Sequence, residues 1–134
     1  MANTLSSPAV ELALRALEIL SARDPAGLSD LLCETAVMDF PYAPDGFTQR
    51  LEGREAIVSG LQVVPQFFAS FAITPRKVMA TAGGEVIVEA DSVAMLQDGA
   101  PYRNSYVMIF EISKGLIKRW SEYHNPMRLP GMAG

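Results

Sequence analysis

The stretch FAITPRKVMATAGGEVIVEADSVAMLQDGAPYRNSYVMIFEISKGLIKRWSEYH, residues 71–124, decides the fold. It falls into four β-rich runs, Phe71–Ala82, Glu85–Leu96, Tyr102–Ile112 and Leu116–His124, dense in valine, isoleucine and aromatic residues. Gly83-Gly84, Gln97-Asp98-Gly99-Ala100-Pro101 and Ser113-Lys114-Gly115 separate them. Each separator has the chemistry of a hairpin turn, so the runs are expected to form an antiparallel meander. Strands of about ten residues twist strongly, and the resulting curved sheet leaves a concave face that other elements must cover.

Those elements lie upstream. Ser7-Pro8 pairs an N-cap residue with a proline at the first helical position, and Val10, Leu14, Leu17 and Leu20 then step at helical spacing to about Ala22. Asp24-Pro25 repeats the signal and opens a short second helix ending near Leu32. Thr35–Pro41 reads as a strand closed by Pro44-Asp45-Gly46. Gly53 precedes a third helix, with Ile57, Leu61 and Val64 as its apolar stripe until Pro65. Helices first and meander second give an α+β class: a conical barrel of strongly curved, mostly antiparallel sheet, with three helices from the N-terminal half enclosing a pocket. Residues 1–134 form one domain in this reading, with an ordered core over about 8–126 and a loose tail over 127–134.

Composition removes several classes of function. Hydrophobic residues make up 49% and charged residues 19% of the 134, enough to bury a core. The net charge is −4 and no basic stripe occurs, which argues against a nucleic-acid partner. One cysteine, Cys33, and one histidine, His124, cannot assemble an intrachain disulfide or a Cys/His metal centre. Phosphate loops, nucleophile elbows and dinucleotide fingerprints are missing from the sequence. Met1–Ser7 carries no basic residue and no apolar run could span a bilayer, so the expected location is the cytoplasm, away from membranes.

Side-chain parity then supplies candidates. Tyr102, Asn104, Tyr106, Met108 and Phe110 alternate onto one face of their strand. If that face is the concave one, Asn104 and Tyr106 can donate hydrogen bonds to a ligand oxygen, although core packing with satisfied polar tips explains Tyr106 nearly as well. Trp120, Glu122 and His124 share a face of the last strand, opposite Arg119, Ser121 and Tyr123. Glu122 with His124 makes a candidate acid–base pair, against the plainer reading of a structural hydrogen bond at the rim. Tyr42 and Phe47, after Pro41, suit either a lid or simple loop packing. Glu89 and Asp91 are expected on the outer face, pairing with Arg103 or Arg119.

Four segments together resemble the nuclear-transport-factor-2-like superfamily and, within it, the SnoaL-like proteins. They are Asp39-Phe40-Pro41-Tyr42-Ala43-Pro44, Leu51-Glu52-Gly53-Arg54-Glu55-Ala56-Ile57, Pro101-Tyr102-Arg103-Asn104-Ser105-Tyr106, and Gly115 through Glu122-Tyr123-His124-Asn125-Pro126. The resemblance implies a conical α+β fold, usually dimeric, with a cavity open at one end, and it turns Trp120, Glu122 and His124 inward. Asp39 matches the place where similar isomerases hold their general base, and a carboxylate in an apolar cavity suits proton abstraction next to a carbonyl; capping of the turn before Pro41 is the alternative. Ala16 and Met108 stand where ketosteroid isomerases carry their oxyanion donors, which argues against steroid isomerisation.

The expectation is therefore a SnoaL-like pocket protein acting on a small apolar carbonyl compound by cofactor-free acid–base chemistry of isomerase, cyclase or dehydratase type. Asp39, Glu122 and His124 would be catalytic, Tyr42, Asn104, Tyr106, Met108 and Trp120 would hold the ligand, and no metal is needed. The alternative is a non-catalytic binding or assembly module. In either case the outer sheet face, with Val107, Ile109, Ile117 and Arg119, is expected to form a homodimer.

Overall fold

The structure is a computed structural model and describes residues 7–129. Helix α1 (Pro8–Ser21) starts as its sequence dictates, with the Ser7 side chain accepting a hydrogen bond from the Val10 N–H at 3.1 Å and proline in the first turn. A 3₁₀ turn, Pro25–Leu31, takes the place of the expected second α-helix. Strand β1 (Leu32–Asp39) follows, then a short strand β2 (Arg50–Glu52) that the sequence reading leaves in a loop. The expected third helix is two pieces, α2 (Arg54–Gly60) and α3 (Val63–Phe67). Pro65 lies in the first turn of α3, where its missing N–H has no partner to lose. The meander consists of β3 (Phe68–Ala80), β4 (Glu85–Leu96), β5 (Pro101–Ser113) and β6 (Leu116–His124).

The six strands form one sheet in the order β2-β1-β6-β5-β4-β3. The pairing of β1 with β6 is parallel and all others are antiparallel. The sheet is strongly curved but open, since β2 and β3 are its two edges. It is the expected cone, a strongly curved, mostly antiparallel sheet closed on one side by helices. Helix α1 packs across β3, and α2 across β1. The edge of β3 is capped from α1: Ser21 Oγ accepts from Ile73 N–H at 3.0 Å, and Arg23 donates to the Phe68 carbonyl at 3.1 Å. These bonds satisfy backbone groups that an edge strand would otherwise leave open.

Ala13, Ala16 and Leu17 of α1, Met38 of β1, Ile57 of α2, and Val86, Val88, Met108, Phe110 and Trp120 of the sheet are buried and form one core. Trp120 and Phe110 are cross-strand partners whose rings lie 4.9 Å apart. Burying side chains of this size contributes roughly 1.5–3 kcal/mol each.

A register shift in β6 sets which of its residues face the core. Glu111 pairs with Arg119, but the next residue, Ile112, pairs with Ile117, so Lys118 is the extra residue of a bulge. The bulge sends both Ile117 and Trp120 inward, each fully buried. Ile117 therefore does not belong to the outer face where it was expected. The C-terminal boundary also moves: Pro126–Arg128 forms a 3₁₀ turn capped by Asn125, so order extends past the expected 126, while residues 130–134 of the expected tail lie outside those described. No helix among the described residues is long and apolar enough to cross a membrane.

Candidate functional site

The inner face of the sheet changes character along the strands. At one end it is apolar and fully packed by Val86 and Val88 of β4, Met108 and Phe110 of β5, and Trp120 of β6. At the other end stand Ser92 of β4, Tyr102, Asn104 and Tyr106 of β5, and Glu122 and His124 of β6. Register builds this segregation: Glu122 lies opposite Met108, His124 opposite Tyr106, and Ser92 opposite Asn104.

Glu122 has neither a hydrogen-bond nor an ion-pair partner among the described residues. Burial alone pushes its carboxyl up to about 7, yet the residue is only half-buried. The carboxyl is crowded by protein while the residue keeps some accessible surface. The Glu122 charge in turn acts on two phenols. Burial raises Tyr102 and Tyr106 above the usual tyrosine range, and the nearby carboxylate adds to both shifts. Tyr106 Oη and Ser92 Oγ are hydrogen-bonded at 2.8 Å, and the Asn104 amide donates to Tyr102 Oη at 2.7 Å. Tyr102 and Tyr106 are also hydrogen-bonded to each other, so the two phenols, Ser92 and Asn104 form one network.

Three further polar atoms on β6 are buried without a partner among the described residues: Nε1 of Trp120, at the packed end, and both ring nitrogens of His124, at the polar end. Burial lowers the His124 pKa and favours the neutral ring. Buried polar groups normally find partners because an unpaired one costs about 1–3 kcal/mol. With Glu122, the unpaired groups occupy alternate positions 120, 122 and 124 of one strand.

Several expected site residues are placed elsewhere. Asp39 lies on the opposite, outer face. Ala36 and Met38 of β1 point inward and are fully buried, so Val37 and Asp39 point outward. There Arg119 donates to the Asp39 carboxylate, with Arg50 at 3.8 Å on its other side. Asp39 is therefore not brought together with Glu122 and His124 in one hollow. Tyr42 is also outside, its ring edge-on to Tyr123 at 5.4 Å, so it neither closes the hollow nor lines it. Met108 and Trp120 are inward as expected, but with no accessible surface they are core residues first.

Asn104 is inward too, but its amide is spent. Its nitrogen donates to Tyr102 Oη and the Asn125 carbonyl, and its oxygen accepts from the Ser105 and Asn125 N–H groups. It clamps the chain after β6 and has little left for a ligand. Glu89 and Asp91 are outward as expected, paired with Arg76 rather than with Arg103 or Arg119. The residues that the sequence reading left out of the site are Ser92 and Tyr102, although Tyr102 shares the alternating face of Asn104 and Tyr106.

Two surface clefts are open, and Glu122 lines neither. One, of about 360 Å³, lies where the outer face of β4–β5 meets the turn after β6. The other, of about 320 Å³, lies at the hairpin end among Gly84, Glu85, Glu111 and Lys118. No group of three or more metal-ligating side chains occurs among the described residues.

Known proteins with this architecture carry varied chemistry. YesE of Bacillus subtilis is 32% identical over 108 residues, covering 78% of this chain and 73% of its own. A crystal structure from Bacillus subtilis, given provisionally as an isomerase, superimposes with a TM-score of 0.83 at 31% identity, covering 95% of this chain and 93% of its own. An LEH-like epoxide hydrolase of M. tuberculosis shares the fold at 19% identity, with a TM-score of 0.72 over 90% of this chain and 85% of its own. The model of the SnoaL-like domain matches residues 13–120, across the helices and nearly all of the sheet, and the chain belongs to that family.

Proposed function

We propose that the polar end of the cone binds a small, largely apolar carbonyl compound and moves a proton on it without a cofactor, with Glu122 as the acid–base group. One observation carries this reading: a carboxyl with no protein partner, poised at about 7, retains access to space beside two phenols. Near neutral pH such a group is present in both protonation states, so it can accept a proton from the carbon next to a carbonyl and return it elsewhere. The linked hydroxyls of Tyr102, Tyr106 and Ser92 would donate to the developing enolate oxygen. Return of the proton to a different carbon would be isomerisation; its delivery to a departing hydroxyl would be dehydration. The unpaired ring nitrogens of His124 supply further polar contacts for the ligand.

Exchange of α-protons for deuterium, followed by NMR over a panel of small cyclic and aryl ketones, tests this. The expected result is exchange that rises through about pH 7 and falls at least 100-fold in Glu122→Gln, while fluorescence of Trp120, the one tryptophan, still reports binding. Exchange that survives in Glu122→Gln would overturn the assignment. Binding without exchange in the native chain would favour the non-catalytic reading, which the solid packing around Trp120, Met108 and Phe110 also supports.

We further propose that the outer sheet face is a self-association surface, now centred on Val93, Met95 and Val107. In the same reading the protein works in the cytoplasm, where Cys33 stays a free thiol.

A further inference from the structure

The cleft of about 360 Å³ on the outer face is lined by Asp91, Val93, Arg103 and Ser105 from the sheet and by Asn125 and Arg128 from the closing turn. Neither Arg103 nor Arg128 has a carboxylate partner among the described residues. The one acidic lining residue is already engaged: the Asp91 carboxylate accepts from Arg76 Nε at 2.6 Å and from Ser105 Oγ at 2.8 Å. Two guanidinium groups are thus left uncompensated in a chain whose net charge is −4.

Their juxtaposition is held from beneath. Asn104 is buried, and two of its four hydrogen bonds tie the backbone of Asn125 to β5. The Asn125 side chain then caps the turn that carries Arg128 by accepting from the Met127 N–H at 3.0 Å. Arg103 is the residue before Asn104 on β5, so one buried amide fixes both walls of the cleft. From this we infer that the cleft is a binding site for a small oxyanion, a carboxylate or a phosphate, gripped between Arg103 and Arg128. Planar guanidinium groups pair with both kinds of anion through two parallel N–H donors. Ser92 and Asn104 of the polar end also line this cleft, but Glu122 does not, and the inference does not depend on the chemistry proposed for Glu122.

NMR titration of the full chain with sodium succinate and with inorganic phosphate, each at constant ionic strength against sodium chloride, tests it. Saturable shifts of the Arg103 and Arg128 side-chain Nε–H signals are expected, with at least a tenfold weaker Kd in Arg103→Gln and in Arg128→Gln. Saturation by succinate alone identifies a carboxylate ligand, and by phosphate alone a phosphate ligand. Glu122→Gln is expected to leave the titration unchanged. Shifts that match those from chloride, fail to saturate, or persist unaltered in both arginine variants overturn the inference.

Discussion

Glu122 and His124 sit two residues apart on one face of β6, and burial shifts their titrations in opposite directions. For Glu122 the ordinary value is 4.5 and the folded value about 7. Between the two, the native state keeps a proton that the unfolded chain has released. Its contribution to stability is complete below 4.5 and disappears as pH rises through about 7, a loss of at most about 3 kcal/mol. His124 has the opposite sign. Its folded value lies below 6.5, so the native ring stays neutral where the unfolded one charges, and its contribution is present above 6.5 and fades as pH falls. The expected outcome is that Glu122→Gln gains thermal stability relative to the native chain as pH rises from about 4.5 to about 8, with the His124 slope left behind. Melting temperatures of both proteins across that range check this. A difference independent of pH would mean that the carboxyl is freely solvated and has no raised pKa to use.

The elements show how a strand's parity decides a residue's role. Asp39 looks catalytic when matched by position to similar isomerases, yet Ala36 and Met38 form the inward apolar alternation of β1 and send Asp39 outward. That pattern was legible in the sequence, and so were the meander, its three turns and the inward faces of β4, β5 and β6. The Lys118 bulge was not, because no local pattern marks one extra residue, and its effect on Ile117 followed unseen. Nor was β2, whose three residues form a strand only because β1 offers them an edge. On the outer face Asp39 ties three strands together: its carboxylate bonds Arg119 of β6 and faces Arg50 of β2, which also reaches Glu52 at 3.0 Å. The Asp39 side chain is 12% exposed against 37% for Arg119, so the pair is worth more than an open surface bridge and less than a buried one. Asp39→Asn is therefore expected to cost about 1–2 kcal/mol of stability and to leave α-proton exchange unchanged. Chemical denaturation and the exchange assay, run on the same variant, read the two effects separately; abolished exchange in a folded variant would return Asp39 to the catalytic site.

At the scale of the molecule, the cone sorts its faces by what each has to do: the inside is divided between a packed apolar end and a polar end with unpaired groups, while the outside mixes ion pairs with exposed apolar residues. Val93, Met95 and Val107 are 53%, 46% and 39% exposed, although all three lie in the long central strands of the sheet. Arg76, Glu89 and Asp91 form the charged part of the same face. An apolar patch rimmed by charge is the composition expected of a protein–protein surface, and a second copy of the chain would meet it through a two-fold axis. In such an isologous contact every substitution enters twice, so a single new charge is repeated across the interface. The native chain is expected to run as a dimer in light scattering at micromolar concentration. Val107→Glu is expected to shift it to the monomer mass while leaving the melting temperature of the monomer's own core nearly intact, because Val107 points away from Trp120 and Phe110. A native chain that stays monomeric at those concentrations would leave this face to some other partner, and a Val107→Glu chain that remains dimeric would move the contact off this sheet.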